Sequence, residues 1–321
     1  MNDPDRSSGP QPARTPGQVA LIVNPSAGKG RAQELLPEIA GRIRDAGHRL
    51  DIWLSRDFAE AQQLIAKAAR SEAAVVAVMG GDGMLHLGVN EAVRAQSQSP
   101  VAPTLGLIPA GTGNDLCRGL DIGGDPLAAL DIILAGHEQR IDLARVGEAF
   151  IGTIVATGFD AMVNRKANDM SWPKGSARYP LALMSVLRTF RPLQYQLTID
   201  GVRRDLAAML VAVGNTRCYG GGIRICPDAD PTDGLLDVTI IHPVGRPTLL
   251  RLMPSLYTGA FVSDPCVELI RVREITIDGP GLVGFGDGEL LGAAPLAIRQ
   301  VPAAVRVCLP APVGVPAAAR S

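Results

Sequence analysis

"AVVAVMGGDGMLHLGVN" occupies Ala74–Asn90, and its reading decides the fold. Val75–Met79 is an unbroken apolar run, and Gly80-Gly81-Asp82-Gly83 ends it abruptly. A short continuous apolar run is the pattern of a strand buried on both faces. Beyond the break, Met84–Ala95 carries a helical pattern. The same unit recurs on either side. "VALIV" (Val19–Val23) precedes Arg31–Ala46, and "LDIWL" (Leu50–Leu54) precedes Ala59–Arg70. "TLGLIPA" (Thr104–Ala110) precedes a short helix opening near Asn114 and then Pro126–Ala135. Strands alternating with helices predict a parallel sheet covered on both faces, an α/β unit over residues 18–138. In such sheets ligands bind beyond the carboxyl ends of the strands.

Three turns on that edge are rich in small residues: "NPSAGKG" (Asn24–Gly30), "GGDGM" (Gly80–Met84) and "PAGTGND" (Pro109–Asp115). Each can present backbone N–H groups at a helix mouth, where the helix dipole also favours an anion. Glycine lets the main chain come close to a phosphate. Three such turns together can cradle a polyphosphate, with Asn24, Gly80, Gly81, Gly83 and Gly111 as candidate contacts. The spacing matches neither a Walker A loop nor, after the first strand, a dinucleotide fingerprint.

From about Arg140 the pattern changes. "LQYQLTIDGVRRDL" alternates apolar and polar residues around Asp200-Gly201, a hairpin signal. "LLDVTII" and "REITIDG" repeat that alternation, and helical patterns cover Ala177–Phe190 and Arg246–Tyr257. Residues 139–299 therefore read as an antiparallel, sandwich-like β domain separated from the first by a cleft. Residues 1–17 read as a disordered lead-in, and residues 300–321 as a last strand or two that could return to the first domain.

The chain has 321 residues, enough for two domains, and 46% hydrophobic residues, enough for full cores. A net charge of −1 and 4% aromatic residues argue against nucleic acid as a partner. Five scattered cysteines without a CxxC pair predict reduced thiols in a cytoplasmic protein. The N-terminus has no apolar signal region, and Ala95–Asn114 is broken by three prolines. Membrane contact is therefore expected to be peripheral.

Taken together, "LIVNPSAGKG", "VMGGDGMLHLGVN", "GLIPAGTGNDLCRGL", "CPDADPTDGLLDV" and "GDGELLG" resemble the catalytic-domain family of diacylglycerol and sphingosine kinases. The likeness spans about Gln18 to Val307 and is nearest to the soluble bacterial diacylglycerol kinase-like lipid kinases. The resemblance implies transfer of the ATP γ-phosphate to a lipid hydroxyl, most readily that of diacylglycerol, with Mg²⁺ as cofactor. It implies that Gly80–Met84 contact the phosphates and that Thr112, and more loosely Ser55, lie beside the nucleotide. Asp82 would organise magnesium and the reacting phosphate, Asp115 would join the network around the ion, and Glu289 would be the general base. That reading explains a carboxylate among phosphate-binding glycines: Mg²⁺ must offset the charge.

In "ADPTDGLLD" (Ala229–Asp237) the residues alone are equally consistent with a hairpin cap. The resemblance implies a structural divalent ion there, held by the Asp233 side chain with main-chain oxygens near Asp230 and Leu235. The chain departs from the family at Met84, commonly Thr, and at Leu87, commonly Glu. Two alternatives stay open: an NAD kinase-like enzyme, which shares GGDG, and a catalytically weak nucleotide- or lipid-binding sensor. The four histidines, His86 among them, read as ordinary surface or turn residues. Asn164–Pro192, basic and carrying Trp172 and Tyr179, reads either as a solvated helix or as a cationic rim resting on anionic lipid at the inner membrane face. The expected partners are thus a lipid at a membrane surface and, as a further option, a second copy in a homodimer.

Overall fold

The computed structural model describes residues 17–159 and 191–311, with residues 162, 163, 166, 170, 181, 185 and 186 between them. The four apolar runs form β1 (Gln18–Val23), β2 (Arg49–Leu54), β3 (Val75–Gly80) and β4 (Thr104–Pro109). They are parallel, in the order β2-β1-β3-β4. Successive side chains of β3 go to opposite faces, as strand geometry demands. Val76 and Val78 join Ile65 of α2 (Phe58–Ala69) and Leu85 of α3 (Asp82–Gln98) in one core. Val75, Ala77 and Met79 join Ile39 of α1 (Arg31–Asp45) and Leu130 of α5 (Pro126–Ala135) in another. Each fully buried side chain of this size contributes about 1.5–3 kcal/mol relative to exposure. The helix starts are specified locally. Asp57 caps α2, its carboxylate accepting the Glu60 N–H at 2.8 Å, and Asp125 caps α5 ahead of Pro126. The short α4 (Asp115–Gly119) follows β4.

The second half is antiparallel. β5 (Glu138–Val146) and β6 (Ala149–Ile151) lead into β7 (Ile154–Gly158). β8 (Leu193–Ile199) and β9 (Val202–Ala208) form the hairpin turned at Asp200-Gly201, both at positive φ. β10 (Leu210–Gly214), β11 (Leu236–Ile241), β12 (Val267–Val272), β14 (Val283–Gly286) and β15 (Glu289–Ala293) pair with β7 in a six-stranded sheet, order β12-β11-β10-β7-β14-β15. Its inner face (Val155, Val211, Val213, Val238, Ile240) packs on Leu197, Ile275, Ile277 and Ile298 of the other sheet, which makes the sandwich. Its outer face packs on α6 (Arg246–Leu256) through Leu249 and Leu252.

The two halves share one hydrogen-bonded sheet. β16 (Leu296–Cys308) begins antiparallel to β13 (Glu274–Asp278) and ends parallel to β4, where Val307 meets Leu105. It runs antiparallel to β5 throughout, with a bulge between Val301 and Val305 and Ala303 at φ 48. Asp142 of β5 accepts the Ala303 N–H at 2.6 Å and so fixes the bulge. The helical pattern at Ala177–Phe190 lies outside the described residues. No helix among the described residues is long and apolar enough to cross a membrane.

Candidate active site

The glycine turns after β1, β3 and β4 meet backbone to backbone. A Cβ on Gly111 would stand 2.6 Å from the Gly81 Cα, and one on Gly28, at φ 61, would collide with the Ala110 carbonyl oxygen. Asn114 closes the third turn: its Oδ1 accepts the Gly111 N–H at 3.0 Å while its Nδ2 donates to the Gly111 carbonyl at 3.0 Å. Asp82, the first residue of α3, then bridges two turns. Its Oδ2 accepts the Asn114 N–H at 3.0 Å and its Oδ1 the Asp115 N–H at 2.8 Å. The carboxylate is thereby pinned beside the first turn of α3, where the Asp82 and Gly83 amides lie ahead of the first helical acceptor. Asp115 reaches the other half of the molecule, its carboxylate accepting the N–H groups of Gly221 (2.9 Å) and Gly222 (3.0 Å). Burial pushes the Asp115 carboxyl above the usual carboxylate range; the Gly221 amide opposes this and the Asp82 charge adds to it. Two neighbouring carboxylates at the mouth of one cavity suit a divalent cation. These residues fit a magnesium–nucleotide phosphate group.

A cavity of about 300 Å³ opens here between the halves. Asp82, Thr112 and Asp115 form one side; Thr153, Tyr219 and Phe285 form the other. Glu289 opens β15 directly after the turn at Asp287-Gly288, both at positive φ. It is exposed, yet its Oε1 lies 3.6 Å from where a Cβ on Gly83 would stand. The hairpin therefore carries Glu289 across the cleft to the GGDG turn, 206 positions away in sequence (289 − 83).

Asp287 is placed differently. Its side chain is 5% exposed and accepts four hydrogen bonds. These come from Thr153 N–H (2.8 Å), Thr153 Oγ1 (2.5 Å), Gly152 N–H (3.0 Å) and His86 Nδ1 (3.0 Å). Burial would raise its pKa, but His86 and the other donors overcome that and hold it below the usual range. With its oxygens filled by donors, Asp287 is no proton acceptor. His86 is the residue sequence reasoning missed. It was expected at the surface; its side chain is 12% exposed and lines the cavity. Burial would lower the imidazole pKa, but the Asp287 hydrogen bond and charge, helped by Glu289, leave it raised. The available signal was its spacing of four residues from Asp82 on one helix, which stacks both on one face.

Several residues expected near the nucleotide have partners within the protein. Ser55 is buried and turns its Oγ back onto the Val23 carbonyl at 3.3 Å. The Asn24 Oδ1 is taken by the N–H (3.1 Å) and Oγ (2.8 Å) of Ser26. Met84 buries its side chain in the core beneath α3 and donates its N–H to the Gly81 carbonyl, and Gly80 is buried in β3 with its carbonyl accepting the Ala110 N–H; Gly81 and Gly83 are partly exposed at the turn. Leu87 packs in the same core, so both family departures fill apolar space.

The expected structural ion site also differs. The Asp230 Oδ1 accepts from Thr232 N–H (2.9 Å) and Oγ1 (2.6 Å). Asp233 accepts the Leu235 N–H at 3.0 Å through one oxygen and pairs with Arg271 through the other. Asp142 ties the turn to β5 by accepting the Gly234 N–H at 2.7 Å. A guanidinium already stands against the one side-chain ligand, so Asp230, Asp233 and Leu235 as arranged do not fit a divalent ion. The basic residues Lys174, Arg178 and Arg188, with Trp172 and Tyr179, lie outside the described residues.

A parallel sheet with three glycine turns stacked at one edge, met there by an antiparallel sandwich that brings a carboxylate to the same edge, is an arrangement that suits a phosphotransferase. Residues 18–146 match the family described as diacylglycerol kinase catalytic domain, and residues 153–309 match the YegS C-terminal NAD kinase beta sandwich-like domain. A diacylglycerol kinase from Mycobacterium tuberculosis is 38% identical over 301 residues, 92% of this chain and 96% of that protein. A YegS-like lipid kinase from Chromohalobacter salexigens is 29% identical, covering 95% and 96% respectively. The crystal structure of a diacylglycerol kinase from Bacillus anthracis aligns at TM-score 0.74 with 25% identity, over 94% of this chain and 100% of that one. The chain belongs to the diacylglycerol kinase-like family of lipid kinases.

Proposed function

We propose that this chain transfers the γ-phosphoryl group of Mg²⁺-bound ATP to the primary hydroxyl of a lipid, with diacylglycerol as the favoured acceptor and a phosphatidic acid as product. The observation that carries the reading is the Glu289 carboxylate delivered to the Gly83 turn, beside Asp82. ATP with its magnesium ion supplies the phosphoryl group and offsets its charge. The Asp82 and Gly83 amides at the first turn of α3 would hold phosphate oxygens, and Asp82, fixed by two backbone donors, would hold the ion. Glu289 accepts the acceptor hydroxyl's proton as its oxygen bonds to phosphorus, while the bridging P–O bond breaks and the diphosphate leaves. A carboxylate that is open to water on one side can pass that proton on to solvent. The apolar cavity wall at Phe285, Ile154 and Ala156 gives the lipid end of the acceptor a place to rest.

The reading places the protein at the cytoplasmic face of a membrane, where its acceptor resides. The test is an assay with γ-labelled ATP and Mg²⁺ against vesicles carrying diacylglycerol, ceramide, a sphingoid base or a glycolipid, with products identified by mass spectrometry. Label in phosphatidic acid is expected. Label in another lipid reassigns the acceptor, and in a parallel reaction with NAD as acceptor, label there and in no lipid would replace the reading with the NAD kinase alternative.

A further inference from the structure

His86 is a buried titratable group that the mechanism above leaves unused. Its tautomer is fixed by its partner: the other three contacts to Asp287 are donors, and the carboxylate is held ionised, so Nδ1 carries the proton and donates. Its Nε2 is free of any acceptor among the described residues. Asn90 Nδ2 stands 3.4 Å away, but its two hydrogens go to the carbonyls of His86 and Phe150, both at 2.9 Å. The orientation of that amide is settled by the Phe150 N–H, which donates to Asn90 Oδ1 at 2.9 Å. Among the described residues lining the cavity, His86 is the only basic one; Asp82, Asp115 and Asp287 are all acids. A site that moves a phosphoryl group needs donors aimed where negative charge gathers, and no lysine or arginine among those lining residues supplies one.

We propose that His86, oriented by Asp287, is a catalytic residue that donates from Nε2 to the oxygens of the phosphoryl group in transit. The proposal rests on the phosphotransfer reading and adds a named donor to it. The charged groups around the imidazole are Asp287 and Glu289 on the β14–β15 hairpin, Asp82 and Arg94 on its own helix, and Asp115 across the cavity. Burial opposes the protonated form most; of the charged groups only Arg94 opposes it, and it does so least among the causes acting on His86. The Asp287 hydrogen bond and charge raise the imidazole pKa and so favour the imidazolium form, and bound phosphates would favour it further. Asp287 acts through His86 and is a positioning residue.

The experiment has two arms. Histidine NMR of the intact protein, with the His86 signal assigned by its loss in His86→Gln, is titrated alone and with Mg²⁺ and a non-hydrolysable ATP analogue. The analogue is expected to raise the His86 pKa and shift its Nε2 signal, leaving His48, His137 and His242 in place. An unmoved His86 signal overturns the proposal. In the second arm, kcat is measured against pH. The wild-type rate should fall as pH rises through the His86 pKa, and His86→Gln should lose that limb along with roughly 10²–10³-fold in kcat at neutral pH. A variant within threefold of wild type and with the same profile also overturns the proposal. So does a limb on the acid side that vanishes in the variant, since it would make His86 a base. If wild type labels no acceptor, the transfer reading fails by itself, and the NMR shift alone decides whether His86 faces phosphate.

Discussion

Asp82 shows how much one residue's chemistry can be read from its neighbours. A lone carboxylate among glycines, at the end of a buried strand, is read as charge for an anion site, and two backbone donors hold it at the mouth of the cavity. Asp82→Asn keeps the volume and one acceptor oxygen, so it should fold with a loss of about 1 kcal/mol at the α4 cap. Turnover should fall by roughly 10²-fold or more, because the charge facing the ion is gone. Lipid phosphorylation measured beside circular dichroism checks both halves of this expectation. His86 was not legible for the opposite reason. Its partner Asp287 lies 201 positions away, and the one local signal, a spacing of four residues from Asp82, does not by itself separate a site histidine from a surface one. For Ser55, sequence gives a hydroxyl's position but not its direction, and here it points to the Val23 carbonyl.

At the scale of elements, the four βα units matched their apolar runs closely because a strand buried on both faces leaves almost no choice of residue. The turns between them are constrained as tightly. Gly111→Ala would set a methyl 2.6 Å from the Gly81 Cα, and two main chains would have to separate. Overpacking of this kind costs about 1–3 kcal/mol, and nucleotide affinity should fall with it. Calorimetric titration and thermal melts of the variant would show both effects; a melt equal to wild type would contradict the stacked turns. The Asp230–Asp237 turn is the element where the resemblance and the structure diverge. With Arg271 serving as its cation, chelation or added Mg²⁺ should leave the wild-type melting temperature nearly unchanged without nucleotide. Arg271→Gln should lower that temperature modestly, an exposed pair being worth about 1 kcal/mol at most. A clear drop with chelator in the wild type would restore the divalent ion.

At the scale of the whole molecule, the two halves are joined by β16, and that joint was only half legible. The segment "LAIRQVPAAVRVCL" reads as a strand or two because a proline and a bulge interrupt it. Its pairing with Leu105 joins residues about 200 positions apart, and no local pattern encodes that. The consequence is functional. The sheet holding the glycine turns and the sandwich holding Glu289 are parts of one framework, so the carboxylate is positioned by rigid elements. Where this framework meets its lipid is a proposal from charge: Lys174, Arg178 and Arg188 lie among the basic residues of 164–192. Neutralising all three should weaken binding to anionic vesicles, each residue contributing on the order of 1 kcal/mol. Wild-type binding should also fall with salt, since screening acts over about 10 Å at 0.1 M. Co-sedimentation that ignores both salt and substitution would count against a basic rim.

The central claim is that Glu289, carried over the GGDG turn by the β14–β15 hairpin, takes the proton of the acceptor hydroxyl. Glutamine at that position keeps the shape and hydrogen bonding but cannot accept a proton. Single-turnover phosphorylation of diacylglycerol vesicles at saturating Mg²⁺ and ATP isolates the transfer step from binding and release. Glu289→Gln should bind ATP normally and transfer about 10²–10⁴ times more slowly, the usual contribution of a positioned general base. A variant that transfers at the wild-type rate would contradict the account.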